Sequence, residues 1–332
     1  MARSPFRRPD SLTPMIKVKW AHQNKEYTLR HSHLEEYPFF KLYDPEFLKK
    51  HAIPLKEKIS YRHDPDRSVS GKKLVSLIKK VIQEIKQQKK EFTHFTVLQD
   101  KDFNSRESHG LIVLKFKQHP FVVKLFLETP KSFVQPFDKG FDPIFFFFMA
   151  GGVTRHLSGF TRIKNLQLVK QKIESDPYWS SKITLPRKWF WAPPRNNTME
   201  IVGTNLGEQE TQHINIPGVY CIIADEIKSE RTFSLSNSEE RTTALTLCNY
   251  LGQLIDAHIS NFMLEKDTGK IAIVDTEHFP TIVGLKGPIN FTSDFHWYTT
   301  LMQQCVEQMY CRTKKDRRDA QFGKKPRLKL TA

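Results

Sequence analysis

The stretch Asp256-Ala-His258-Ile-Ser-Asn261, followed by Phe-Met-Leu-Glu, a polar turn and Ile271-Ala-Ile-Val-Asp275-Thr-Glu277, decides how this chain is read. Two short apolar runs, 262–264 and 271–274, flank Glu265-Lys-Asp-Thr-Gly-Lys270. Apolar runs split by a Gly-containing polar turn predict a β-hairpin. Folding about Thr268 sets Asn261 opposite Asp275 at the open end, where directly paired residues lie about 4.5–5.5 Å apart at Cα. An amide oxygen and a carboxylate then stand side by side, with Asp256 and His258 in the loop just before. Neighbouring hard oxygens suit Mg2+, which takes few protein ligands and completes its shell with water and phosphate.

The chain has 332 residues, enough for one or two domains with a full core. Its formal charge of +16 predicts anionic partners such as nucleotides, phosphoinositides, inositol phosphates, nucleic acid or acidic proteins, without choosing among them. A general nucleic-acid binder interleaves basic patches with exposed aromatics. Here aromatics such as Phe145 to Phe148 sit in apolar runs, so nucleic acid is not expected as the main partner. Cysteines 221, 248, 305 and 311 form no Cys-x-x-Cys pair, which indicates neither a zinc site nor a disulfide framework and suggests a reducing compartment. The N-terminus carries charge but no apolar h-region, and the run Ile144 to Ala150 is too short to span a bilayer. A cytoplasmic location is expected, with nuclear targeting by a basic tail or non-classical secretion as alternatives.

Residues 1–70 read as polar and irregular. Leu74, Leu77, Ile78, Val81, Ile82 and Ile85 fall on one face of an amphipathic helix over 72–91, with lysines on the other. Phe95 to Gln99, Gly110 to Lys117 and Phe121 to Leu127 predict a three-stranded antiparallel sheet, with 102–110 as its first loop. The run 142–152 is compatible with a buried helix or a strand. Thr161 to Ile173 predicts a helix. Trp189 to Trp191 and Val219 to Ile223 predict strands, the second running into Ala224-Asp-Glu226, and 195–217 reads as a loop. Ser236-Asn-Ser-Glu239 matches a capping box. It would open a helix with Ala244, Leu247, Cys248, Leu251, Leu254 and Ile255 on one stripe, leading into Asp256.

This order of parts resembles the protein-kinase-like superfamily, over about 93–300 and most specifically at 238–279. Motif agreement is with the aminoglycoside, choline and phosphoinositide kinase branches, which carry Asp-x-His-x-x-Asn in the catalytic loop. The first two often carry Asp-x-Glu at the metal site. The resemblance implies an α+β, two-lobed kinase-like fold. Residues 1–92 would be an N-terminal extension, 93–226 a small antiparallel-sheet N-lobe with insertions, 227–311 a reduced, mainly helical C-lobe, and 312–332 a basic tail.

It further implies ATP with Mg2+ or Mn2+. Lys124 would contact the α/β-phosphates. Asp256 would orient or deprotonate the acceptor hydroxyl, with His258 beside it in the catalytic loop. Asn261 and Asp275 would hold the metal, with Glu277 assisting. Asn104, Ser105, Ser108 and Gly110 would cover the phosphates, Glu174 is the one acidic candidate for a helix partner of Lys124, and Asp225 and Glu226 would form the hinge. Elementary chemistry agrees. Phosphoryl transfer asks mainly for positioning and charge neutralisation, a lone Lys in an apolar strand is costly unless an anion meets it, and a carboxylate one loop from two metal ligands is placed to act as base.

The chain also departs from the family pattern. No Gly-x-Gly-x-x-Gly precedes Lys124, Leu254 stands where antibiotic kinases carry His, Asp275 is followed by Thr-Glu rather than Phe-Gly, and no Ala-Pro-Glu follows. The expected function is a divergent kinase passing the γ-phosphate to a hydroxyl, with protein Ser/Thr ranked ahead of a small polyol or lipid head group. One alternative is a pseudokinase or binding module docking on phosphoinositides or inositol phosphates. Another is a metal-dependent hydrolase or oxygenase built on Asp256, His258, Asp275 and His278.

Overall fold

Alternation along Phe121–Leu127 organises the molecule. Successive strand residues point to opposite faces, so Val123, Leu125 and Leu127 join one core cluster while Phe126 joins another. A computed structural model describes residues 15–30, 39–135, 152–194, 197–204, 211–229, 231–256 and 258–278. The architecture is α+β, with antiparallel sheets and six α-helices among the described residues.

The elements in chain order begin with β1 (Met15–Trp20), β2 (Tyr27–Arg30), α1 (Pro45–Lys50), β3 (Lys58–Tyr61), β4 (Asp64–Ser70) and α2 (Gly71–Lys86). Next come β5 (Phe95–Gln99), β6 (Phe103–Asn104), β7 (His109–Phe116), β8 (Phe121–Leu127), α3 (Pro130–Val134), α4 (Gly152–Glu174), α5 (Pro177–Lys182) and β9 (Ile183–Thr184). The described chain ends with β10 (Lys188–Trp191), β11 (Thr198–Thr204), β12 (Gln212–Pro217), β13 (Val219–Asp225), α6 (Ser238–Leu251), β14 (Phe262–Leu264) and β15 (Ile271–Ile273).

The main sheet has the antiparallel order β10-β13-β8-β7-β5, with β6 also on β7. The three predicted strands are therefore its β5, β7 and β8, and β13 and β10 extend it. One face packs Ile112, Leu114, Val123 and Leu125 against Leu74, Ile78, Val81 and Ile85 of α2. The other packs Val113, Phe126, Tyr220 and Ile222 against Leu157, Phe160 and Ile163 of α4. Each such side chain contributes about 1.5–3 kcal/mol on burial, so both helices are fixed to the sheet. Lys124 lies on the α4 side, in register between Val113 and Ile222. Gly159 lets α4 approach closely: a Cβ there would collide with the Tyr220 hydroxyl and the Phe126 ring.

Two sequence expectations are corrected. The described residues of 1–70 hold β1 to β4 and α1 rather than irregular chain, and the described residues 197–204 and 211–217 hold β11 and β12 rather than a loop. Strand β1 lies between β2 and β11 in a four-stranded sheet of order β12-β11-β1-β2. Ile16, Val18, Met199 and Ile201 point into the core while Lys19 and Glu200 pair at 3.1 Å. The alternation is short, Lys17 and Lys19 beside Ile16 and Val18 in β1 and Glu200 between Met199 and Ile201 in β11, and is completed only by the pairing of the two strands. Two helix starts also move. Helix α4 begins at Gly152, nine residues before the predicted start at Thr161. The N-cap of α6 is Asn237, whose side chain accepts from Glu239 and Glu240 N–H, rather than Ser236. The apolar residues 142–151 and the basic tail lie outside the described residues. Beyond α6, hairpin β14–β15 pairs in parallel with β9.

Candidate functional site

A cavity of about 430 Å³ opens between the main sheet and the β14–β15 hairpin. Val113, Val122, Lys124 and Ile222 line it from the sheet, and Asn261, Met263, Val274 and Asp275 from the hairpin. Asp225, Glu226 and Ile227 close one side, and Arg162 and Lys188 line it as well.

The hairpin register is one residue from the expectation. Phe262 faces Ile273, and Val274 N–H donates to the Asn261 carbonyl at 3.0 Å, so Asn261 faces Val274 rather than Asp275. The reason lies in the turn: Glu265 N–H bonds Lys270 O, and Gly269 adopts φ 66°, which centres the loop between Asp267 and Thr268. Asn261 and Asp275 still reach the same cavity.

Asp275 is where the two halves meet. Its Oδ2 accepts from Lys124 Nζ at 2.5 Å, and Arg162 donates through Nε to Oδ1 at 3.0 Å and through Nη2 to Oδ2 at 3.3 Å. Arg162 Nη2 also lies 2.9 Å from Glu277 Oε2, and Ser158 Oγ donates to Glu277 Oε1. Asn165 Nδ2 donates to the carbonyls of Thr276, at 3.1 Å, and Leu254. Ser158, Arg162 and Asn165 are i, i+4 and i+7 on α4, so one helical face grips the segment after β15. From β10, Lys188 Nζ donates to Thr276 Oγ1 at 2.8 Å and to Val274 O at 3.3 Å, while Thr276 Oγ1 donates to Arg162 O at 2.6 Å.

Burial alone would raise the Asp275 carboxyl, but Arg162 and Lys124 overcome it and hold it well below the usual range. Burial lowers Lys124 against the pull of Asp275. Burial pushes Lys188 down to about 7, against the pull of Asp275 and helped by Lys124 and Arg162. Glu277 is raised by burial. The cluster thus brings three basic side chains, Lys124, Arg162 and Lys188, to two carboxylates, Asp275 and Glu277.

Asn261 Nδ2 donates to the Asp256 carbonyl at 3.1 Å and to Asp256 Oδ2 at 3.3 Å. Those bonds use the amide's donors and leave its carbonyl oxygen to offer a cation. Burial, then the Glu277 and Asp275 charges, push the Asp256 carboxyl up to about 7.

The other expected residues fall into place less uniformly. His258 caps the 259–261 turn: its Nδ1 bonds Ser260 N–H at 3.2 Å and Ser260 Oγ at 2.5 Å, and its carbonyl accepts from Asn261 N–H. It shapes the turn that presents Asn261. Asp225 is buried and bound by Arg187 Nε and Nη2, each at 2.8 Å, and Glu226 pairs with Lys115 at 2.5 Å. Their side chains are committed, and their backbone N–H groups donate to Arg187 O and Pro120 O.

Asn104, Ser105, Ser108 and Gly110 do not line the cavity. Asn104 Oδ1 accepts from Arg106 and Glu107 N–H, and Ser108 Oγ donates to Ile85 O of α2. Gly110, at φ +114°, is required where a Cβ would strike Asp102 O. The loop is thus tied to α2. Glu174 pairs with Lys170 on the exposed end of α4 and does not meet Lys124, whose carboxylate partner is Asp275.

Arg162, Lys188, Ser158 and Asn165 were not expected at the site. The signal for three of them was polar residues at helical spacing within a stripe that is otherwise apolar (Leu157, Phe160, Ile163), legible only once α4 is extended to Gly152. Among the described residues, no group of three or more His, Cys, Asp or Glu side chains is arranged to hold a metal, and no helix is long and apolar enough to cross a membrane. No family model, no curated protein and no solved structure matches the chain.

Proposed function

We propose that this chain is a divergent, two-lobed kinase that uses ATP and Mg2+ to phosphorylate a hydroxyl acceptor, protein Ser/Thr ahead of a polyol or lipid head group. One observation carries the reading: Lys124 from the middle of the sheet and Asn261 with Asp275 from the hairpin line a single cavity, with Asp256 bonded to Asn261. A volume of about 430 Å³ falls within the range for small-ligand pockets. The meander β5-β7-β8, the helix behind it, and β13 returning beside β8 before a hinge match the order of parts that the sequence resembles.

The donor set suits Mg2+. Asp275 offers a carboxylate and Asn261 an amide oxygen, and Mg2+ is commonly bound by one or two carboxylates together with substrate phosphates. When bound, the ion would neutralise phosphate charge. The chain's own groups would do the rest. Lys124 would exchange Asp275 for a phosphate oxygen, and α4 with Lys188 would hold the 274–277 segment in place. Asp256, with basicity near neutral pH, would take the acceptor proton, since a general base works best with a pKa close to the operating pH.

A second reading, a non-catalytic anion-binding module, is favoured by the engagement of both Asp275 oxygens by Arg162 and Lys124. The full chain is incubated with γ-phosphate-labelled ATP, Mg2+ or Mn2+, and panels of proteins, polyols and lipids, self-labelling included. The kinase reading expects transfer that is lost in Asp256→Asn. Nucleotide binding without transfer favours the second reading, and neither binding nor transfer refutes both.

A further inference from the structure

Arg162 has donors that the proposed chemistry does not use. Its side chain is buried, with the residue 2% exposed. Nε and Nη2 serve Asp275 and Glu277, but Nη1 is buried without a hydrogen-bond acceptor among the described residues. A buried donor left unpaired costs about 1–3 kcal/mol, more when charged, and native interiors rarely tolerate one. The guanidinium also lies over the Phe126 ring at 5.3 Å, which together with its carboxylate bonds fixes its plane.

The surroundings point to an anion as the missing acceptor. Arg162 lines the same cavity as Lys124 and Lys188. Against these three basic side chains the segment after β15 sets two carboxylates, Asp275 and Glu277, both already bonded to Arg162. In kinases the helix behind the sheet presents Glu to the strand Lys. Here the helix presents Arg, and its partner is the acidic segment after β15. A planar guanidinium can hold a carboxylate along one edge and still offer N–H groups to a phosphate along another.

We infer that this part of the cavity is a polyphosphate-binding subsite in which Arg162 Nη1 donates to a phosphate oxygen between Lys124 and Lys188. The inference rests on the kinase reading only for the nucleoside part of the ligand; the subsite itself would take free polyphosphate too. Arg162 thereby becomes a ligand-binding residue as well as the clamp on Asp275.

The test is calorimetric titration of the full chain with inorganic tripolyphosphate, ATP and adenosine in the presence of Mg2+. Wild type, Arg162→Lys and Arg162→Gln are compared, with a thermal melt of each. Loss of one charged hydrogen bond predicts that Arg162→Gln weakens tripolyphosphate and ATP about tenfold or more, with a smaller loss in Arg162→Lys and adenosine unchanged. A folded Arg162→Gln protein that binds tripolyphosphate like wild type overturns the inference, as does equal weakening of adenosine and ATP, the mark of a purely structural role. Binding of tripolyphosphate without any preference for ATP would end the nucleotide reading and leave the subsite standing. Equal affinity for adenosine and ATP, with none for tripolyphosphate, would do the reverse. If neither variant folds, the side-chain 15N signals of Arg162 in the wild type decide: they shift on saturation with tripolyphosphate, and unmoved signals overturn the inference.

Discussion

Replacing Asp275 by Asn keeps the side chain's shape and removes the anion that Lys124 and Arg162 share. The side chains are 13% exposed for Asp275, 3% for Arg162 and 20% for Lys124, so the three charges have little solvent to fall back on. Removing one partner of a buried ion pair costs about 3–5 kcal/mol, because the remaining charge is left uncompensated. Glu277 still holds Arg162 Nη2 at 2.9 Å, and Lys124 keeps partial access to water, so the lower end applies. A loss of about 3 kcal/mol is expected, a large share of the 5–15 kcal/mol typical of a folded protein. Urea unfolding at pH 7.5 measures it as a lower midpoint at an unchanged slope. Saturating tripolyphosphate should recover part of the loss, since an anion bound to the folded state stabilises it by mass action and here replaces the missing carboxylate. A variant within about 0.5 kcal/mol of wild type, the range of ordinary surface changes, would refute the coupling of these residues.

The neighbouring residues give three further outcomes. Lys124→Met removes one of three clustered cations while Arg162 keeps Asp275 paired, so stability should change by less than about 1 kcal/mol while phosphate transfer is lost. A melt lowered as far as that of Asp275→Asn would make Lys124 structural. Asp256 is protonated below about 7 in the folded chain, so transfer should rise through a midpoint near pH 7 as the base ionises, and a flat profile from about pH 5 to 8 would remove it from that role. Lys188 titrates at about 7 when folded, whereas an unfolded Lys titrates near 10.4. Between those values the unfolded state binds the extra proton, so this residue makes stability rise with pH across that window and fall again toward neutrality. Lys188→Met should flatten the rise in urea midpoints between about pH 7 and 10, and an unchanged slope would contradict the buried placement of the ammonium.

Strong local patterns were legible without coordinates. The apolar alternation around Lys124 gave the sheet, and the six apolar positions of α2 gave its buried face. Asn261 and Asp275 were placed at one end of a hairpin, although a four-residue turn rather than one centred on Thr268 moved the register by one. What could not be read depends on partners distant in the chain. Strand β1 alternates apolar residues with Lys17 and Lys19, β11 sets Glu200 between Met199 and Ile201, and only their pairing with each other makes these short patterns a sheet. Lys188 reads as an ordinary strand-edge lysine until Thr276 and Val274 meet it. Ser158, Arg162 and Asn165 look like the polar side of a surface helix until the segment after β15 packs on them. Glu174 is the one acidic candidate near the predicted helix, whereas this helix meets Lys124 indirectly, by clamping its carboxylate partner Asp275.

On the proposed kinase reading, the cavity between sheet and hairpin takes up a metal nucleotide. The most direct measurement is a crystal structure with Mn2+ and a non-hydrolysable ATP analogue, the ion located by its anomalous scattering. Manganese is expected on Asn261 and Asp275, Lys124 on a phosphate oxygen, and the base against residues 225–227. Manganese bound elsewhere, or an empty cavity at saturating analogue, would contradict it.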